Sequence, residues 1–249
     1  LSQILQGMAI KYAVEHWRRS MPRGMGTLYW QLNDCWPVAS WSSIDYFGNW
    51  KALHYMARDF FAPLLLSAVE HTETGRVEVH LTNDHRSPQE GTLVWKLYHT
   101  SGSVLAEGKA DGRATSLRST RITTLDLRGH LDKHGARNVI LGLWFDMDGT
   151  TVASNLVTFV RPKHLTLGRP NIRVNAKRRK DTYRVKLSTD MPALWCWADL
   201  PGTRCTFTDR FFHLLPGNPV TFDIAPEHDI EEEQFTEALV VSSLRDTYE

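Results

Sequence analysis

Residues 26–55 read GTLYWQLNDCWPVASWSSIDYFGNWKALHY. Four tryptophans fall in this stretch, Trp30, Trp36, Trp41 and Trp50, and the side chains between them include hydrogen-bonding groups suited to a sugar: Gln31, Asn33, Asp34, Ser42, Ser43 and Asp45. The β-prone run Thr27-Leu28-Tyr29-Trp30 follows the breaker Pro22-Arg23-Gly24 and predicts a strand over 26–32. Trp50-Lys51-Ala52-Leu53 predicts a helix over about 50–61, with Asn49 as its N-cap and Pro63 beyond its end. Strand, long aromatic loop and helix make a β/α unit, in which functional groups gather where the strand's C-terminal end enters the loop.

Upstream, Leu1, Leu5, Met8, Tyr12 and Trp17, with Ile4, Ala9 and Ala13 alongside, have the spacing of one apolar helix face over residues 1–21. Gln6, Lys11, Glu15 and Arg18 fall elsewhere on that helix, and Pro22 and Gly24 stop it. One strand and two helices cannot bury their own apolar faces, because a parallel strand needs neighbours and its helices need a sheet to cover. Tyr29, Trp30, Leu53, Met56, Phe60 and Phe61 would be left substantially exposed. The segment therefore predicts further strands, supplied from upstream or by another polypeptide. The first residues carry neither an initiator methionine nor a basic region followed by an apolar core, so the expectation is a piece of something larger.

Downstream the texture changes. Strand-like runs recur at 64–66, 76–81, 92–98, 119–127, 139–145 and 151–160, several alternating polar with apolar. Turns are expected at Ser101-Gly102, Asp111-Gly112 and Asp148-Gly149. After a boundary near RPKHLTLGRP (161–170) the pattern repeats at 171–174, 183–187, 193–198, 219–224 and 238–244. Strands at this spacing argue for sandwiches of antiparallel sheets. The division expected is 1–64, 65–166 and 167–249.

The net charge of +1 gives no electrostatic case for nucleic acid or an anionic membrane, and no apolar run approaches a membrane span. The clusters Lys177-Arg178-Arg179-Lys180 and Glu231-Glu232-Glu233 read as solvated turns or faces, the acidic run at 228–233 as an exposed turn or short helix. Cys35, Cys196 and Cys205 have no CxxC or zinc-like spacing. Cys196 and Cys205 flank Pro201-Gly202 and could face each other across a hairpin, but sequence does not supply the geometry a disulfide needs. No histidine pair has metal spacing and Ser42 and Ser43 lack a nucleophile elbow, so no cofactor or metal is implied.

The words TLYWQLNDCWP, SWSSIDYFGNWKALHY and FFAPLLLS resemble the last strand, loop and helix of the catalytic barrel of β-mannosidases, which are family 2 glycoside hydrolases. Residues 65–249, including TDRFFHLLPGNP (208–219), resemble the two immunoglobulin-like domains that follow that barrel. The resemblance implies the C-terminal end of a (β/α)8 TIM barrel followed by two all-β immunoglobulin-like sandwiches. It implies an exo-acting retaining enzyme that removes terminal β-mannose, with two glutamates, both upstream of this chain, as acid/base and nucleophile. This sequence has no Asn-Glu pair, and its single Glu before residue 70, Glu15, reads as a solvated helix-surface side chain. The fragment alone is therefore expected to be inactive.

By the same resemblance Trp30 is an apolar floor for the sugar in the cleavage subsite, packing against ring C–H faces. Asn33 and Asp34 either bond sugar hydroxyls or cap the loop, and the residue types leave both open. Trp36 either walls the pocket or packs beneath the loop. Trp41, Asp45, Tyr46 and Trp50 read as loop-holding residues. Trp95, Trp144, Trp195 and Trp197 read as core or interdomain packing, with Trp195 and Trp197 on one strand face. The expected partners are a β-mannoside or oligosaccharide and the upstream remainder of the barrel; a homodimer stays open. The alternatives are another family 2 exo-glycosidase, such as an exo-β-glucosaminidase, and a non-catalytic carbohydrate-binding module.

Overall fold

The computed structural model describes residues 1–248. They form two compact units, one built on residues 2–99 and 104–166, the other on residues 167–248.

The first unit is a sandwich carrying a helical segment. Its strands are β1 (Leu64–His71), β2 (Arg76–Asn83), β3 (Gln89–His99), β4 (Val104–Ala114), β5 (Arg118–Asp126), β6 (Val139–Met147) and β7 (Thr150–Thr158). They pair antiparallel in two sheets, ordered β1-β2-β5 and β4-β3-β6-β7. Alternation sets the core: Val77, Val79 and Leu81 from β2 face Leu93, Leu97, Leu141, Leu143 and Phe145 from β3 and β6, all without exposed surface.

The turn expected at Asp111-Gly112 is not there, since both residues lie within β4. Gly112 pairs with Gly91 across the ladder, and the Phe145 ring occupies the space a side chain would take. A Cβ on Gly112 would come within 2.5 Å of that ring. Glycine here makes room for an aromatic ring rather than for a bend.

Before this sandwich come α1 (Ser2–Arg19) and α2 (Ala52–Phe60). They approach closely at Gly7, where a Cβ would meet Met56 Sδ at 2.3 Å. Leu53, Met56 and Phe60, expected to be exposed, are buried, while Trp30 and Phe61 remain exposed. The apolar face read for α1 is only in part the buried one. Its buried residues are Ile4, Gly7, Val14 and Glu15, and the stripe of Leu1, Leu5, Tyr12 and Trp17 faces out.

Glu15, read as solvated, is 3% exposed. It pairs with Lys11 at 3.0 Å and Arg19 at 3.6 Å, and accepts from Asn155 Nδ2 of β7 at 3.0 Å. Asn155 also accepts from Lys11 at 2.9 Å and donates to the Leu66 carbonyl of β1 at 2.8 Å. Arg18 donates to the Phe60 and Ala62 carbonyls and to Asp84. A polar clasp, not an apolar stripe, seats the helix on the sandwich.

The strand expected over 26–32 does not form. The backbone there has no regular structure, with bends at Trp30 and Leu32; the isolated bridge from Asn33 to Ile44 comes just after it, and no strand lies beside it among the described residues. A strand is defined by neighbours that take its backbone groups, and none is present here.

The second unit contains β8 (Ile172–Arg179), β9 (Thr182–Thr189), β10 (Ala193–Asp199), β11 (Cys205–Phe207), β12 (Phe212–Leu214), β13 (Val220–Pro226) and β14 (Val240–Ser242). Its sheets are ordered β11-β13-β9-β8 and β12-β10-β14. The core holds Tyr183, Val185, Leu187, Cys196, Phe222, Ile224 and Phe235.

Trp195 is buried, as read, and meets His213 edge-on at 4.9 Å, while Trp197, half-buried, stacks on Phe211 at 5.9 Å. Cys196 and Cys205 are free thiols, and they belong to different sheets because the chain crosses over after β10. The two charge clusters are solvated, as expected, and are also partners. Arg178 pairs with Asp229 and Glu231, and its backbone N–H donates to Glu232 at the start of a helix, α3 (Glu232–Ala238).

Candidate functional site

The loop from Trp30 to Lys51 is folded on itself by backbone bonds. Ile44 N–H donates to the Leu32 carbonyl at 2.8 Å, Asp34 N–H to Ile44 at 3.1 Å, and Lys51 N–H to Ser43 at 2.9 Å. These bonds draw residues 31–34 against 43–45 and bring the start of α2 beneath both. The first N–H of α2 is satisfied by the Gln3 side chain of α1 at 3.2 Å. Asn49, expected as the cap, instead donates to Asp45 Oδ2 at 2.9 Å. Asp45 Oδ1 accepts from the Phe47 and Asn49 amides, so this carboxylate braces the loop. Trp50 roots the loop's end on α2, its ring 4.3 Å from His54 and 5.3 Å from Tyr55. Trp41 offers its carbonyl to Gln6 of α1.

Asp34 is buried at the strand-side mouth of this loop. One carboxylate oxygen accepts from the Ser40 hydroxyl, and the other takes Lys51 Nζ at 3.0 Å. Lys51 also donates to Ser42 Oγ at 2.7 Å. The Ser40 hydroxyl, then Ser42 and Lys51, hold the Asp34 carboxyl below the usual carboxylate range. The carboxylate is thus ionised, charge-paired and fully occupied within the chain.

Ser42 and Ser43, both without exposed surface, point into the loop rather than out of it. Ser43 is a hub. The Leu32 carbonyl can only accept, so the Ser43 hydroxyl donates to it at 2.9 Å and accepts from the Tyr29 hydroxyl at 2.8 Å and from His54 Nδ1 at 3.1 Å. Burial holds the His54 imidazolium pKa down, which favours this neutral, Nδ1-protonated ring. Lys51 and His54 are the residues that sequence reasoning passed over as site builders, while Ser43, named there as a group suited to a sugar, is instead committed within the loop. Their signal is three-dimensional, because each acts on a partner 10 or more residues away.

Of the four residues singled out from sequence, three project outward and one inward. Trp30 is 77% exposed and Trp36 is 68% exposed. Asn33 is exposed and its amide donates to the Asp34 carbonyl at 3.2 Å. Only Asp34 is enclosed. The result is an aromatic ledge on a loop whose acids are both committed internally, so neither Asp34 nor Asp45 is free to act as acid, base or nucleophile. What the ledge offers is a flat apolar surface beside an amide, the surface on which a sugar ring's C–H face packs.

Comparison with known proteins gives this geometry a setting. Residues 75–164 match the family described as the mannosidase Ig/CBM-like domain, and residues 167–247 match an Ig-fold domain family, Ig_mannosidase. Over 263 aligned positions the chain is 31% identical to β-mannosidase A of Aspergillus fumigatus, covering 98% of this chain and 28% of that protein. β-Mannosidase A of Neosartorya fischeri is 30% identical over the same shares.

Among solved structures, the β-D-mannosidase of Dictyoglomus thermophilum superposes with a TM-score of 0.84 at 22% identity, over 97% of this chain and 29% of that one. The exo-chitosanase of Amycolatopsis orientalis superposes at 0.71 and 16% identity, over 97% of this chain and 33% of that one. Both structural likenesses establish the fold. The chain thus spans a little over a quarter of the length of the curated relatives it matches. On these matches, the chain corresponds to the C-terminal immunoglobulin-like part of the β-mannosidases of glycoside hydrolase family 2.

Proposed function

We propose that the chain is the C-terminal part of an exo-acting, retaining β-mannosidase that removes terminal, non-reducing β-D-mannose residues. Residues 1–64 complete its catalytic (β/α)8 barrel, and the acid/base and nucleophile, two carboxyl groups about 5–5.5 Å apart, come from the remainder. The observation that carries the reading is Trp30. An indole standing 77% exposed on a loop held by a buried ion pair is costly unless something covers it, and a sugar in the cleavage subsite does so. Trp36 and Asn33 border the same sugar. Asp34 serves the site by fixing the backbone beneath Trp30 rather than by touching substrate. The upstream barrel covers the other outward side chains of this segment, Leu28 and Leu32 among them.

The test is made in the complete enzyme. Trp30→Ala is expected to lower kcat/KM for p-nitrophenyl β-D-mannoside by about tenfold to a hundredfold, while the 249-residue chain alone turns over none. Wild-type kcat/KM in the variant would remove Trp30 from the site. Faster cleavage of the β-glucosaminide than of the β-mannoside would move the assignment to an exo-β-glucosaminidase.

A further inference from the structure

A second concave surface lies in the second sandwich and owes nothing to the Trp30 loop. It is an open groove of about 850 Å³ between the segment Arg169–Ile172 and the C-terminal residues Val241 and Arg245–Tyr248. Two sheet edges open onto it. Ile172 begins β8, the outer strand of one sheet, and Val241 lies in β14, the outer strand of the other. The size is that of small-molecule sites, roughly 300–1,000 Å³.

The lining is rich in donors. Among the described residues its one acid, Asp246, is spent on capping, accepting from the Ser243 amide at 2.7 Å and the Ser243 hydroxyl at 3.0 Å. Arg245 is committed too, donating to the Tyr248 carbonyl at 2.6 Å with its guanidinium 5.1 Å from the Tyr248 ring. That stacking fixes the ring. Three groups remain uncommitted among the described residues: the Arg169 guanidinium, the Asn171 side-chain amide and the Tyr248 hydroxyl. The last is enclosed and has no hydrogen-bond partner. A buried polar atom without a partner costs stability; its enclosure leaves the Tyr248 ring, the Arg169 guanidinium and the Asn171 amide as what the groove offers.

We infer that this groove binds a β-linked oligosaccharide, with Tyr248 as its aromatic platform and Arg169 and Asn171 as donors to sugar oxygens. The inference deepens the β-mannosidase reading and rests on it for the kind of sugar. The ligand must be long, rich in acceptors, and able to offer C–H faces to a phenol ring, which is the chemistry of a saccharide chain. A single phosphate or carboxylate fits the groove poorly: it fills a small part of the volume and meets one uncommitted guanidinium. A glycan held there would sit on a domain separate from the loop that carries Trp30.

The experiment is calorimetric titration of the 249-residue chain with β-1,4-mannohexaose and, in parallel, cellohexaose. Saturable binding is expected, weakened about tenfold or more by Tyr248→Ala, several-fold by Arg169→Ala, and little by Tyr248→Phe. Tyr248→Phe keeps the ring and guards against a variant that fails to fold. Absence of saturable binding to both sugars, or binding insensitive to Tyr248 and Arg169, overturns the proposal. So does binding that inorganic phosphate displaces. Groove-dependent binding of cellohexaose without mannohexaose supports the groove and counts against the β-mannosidase reading, which the Trp30 kinetics test separately.

Discussion

Asp34 shows how a loop can be fixed by one carboxylate. It looks from its neighbours like a sugar ligand, yet its oxygens are taken by Ser40 and Lys51. The pH dependence follows from the direction of the shift. Folding lowers the Asp34 pKa, so the unfolded chain binds a proton near pH 4 that the folded loop refuses; the stabilisation is full above about pH 4 and is lost as pH falls through the folded value. His54 acts with the same sign, because burial keeps it neutral, and its contribution declines as pH drops below about 6.5. Tryptophan fluorescence of the chain should therefore change in two stages on acidification, and Asp34→Asn should abolish the lower one. A loop with the same emission at pH 3 and pH 7 would contradict this. Trp30 was read through the resemblance rather than from residue order, and its exposure is a finding of the structure.

Helix α1 shows the limits of periodicity. Its expected apolar face is largely reversed: Leu1, Leu5, Tyr12 and Trp17 stand out, while Ile4, Gly7 and Val14 are buried beside Glu15. The reversal is energetically sound because every buried charge on it is matched: Glu15 by Lys11, Arg19 and Asn155, and Arg18 by carbonyls and Asp84. Such a clasp should fail if one member is removed. Glu15→Ala is expected to weaken docking of α1 by roughly 3 kcal/mol, seen as faster hydrogen exchange along residues 2–19 with the β2 and β6 amides still protected. Glu15→Gln, which can still accept from Asn155, should lose less. Equal protection in all three proteins would mean that apolar contacts hold the helix. In the sheets, β2 and β6 were legible because apolar residues alternate in them, whereas β4 was hidden: Gly108 and Gly112 look like turn residues but are spaces for the Trp95 and Phe145 rings.

On the scale of the whole molecule, the sandwiches are well covered and the segment before them is not. Leu28 is 95% exposed, and Leu5, Met25, Trp30, Leu32, Trp36 and Trp41 are each more than half exposed. Exposed apolar side chains in this number suit a surface that something else covers, in keeping with a chain that spans 28% of its curated relatives. The chain alone should therefore self-associate at micromolar concentration, giving light-scattering masses above its 28.5 kDa. Leu28→Lys together with Leu32→Lys should restore the monomer without altering the sandwiches. A monodisperse 28.5 kDa species in the unaltered chain would show that this surface needs no partner.

The sequence by itself determined the two antiparallel sandwiches, the helices that precede them and the aromatic loop, because alternation, helical spacing and breakers act over neighbouring residues. It left Trp36 open between pocket wall and loop packing, and the structure puts it at the surface. Only the tertiary structure decided which face of α1 is buried, that Ser42, Ser43 and Asp34 point inward, that residues 26–32 form no ladder, and that two sheet edges enclose a groove at Tyr248. Each of those outcomes depends on a partner distant in the chain. Glu15 and Asn155 lie 140 residues apart, and a residue's order in the sequence carries no record of what will cover it.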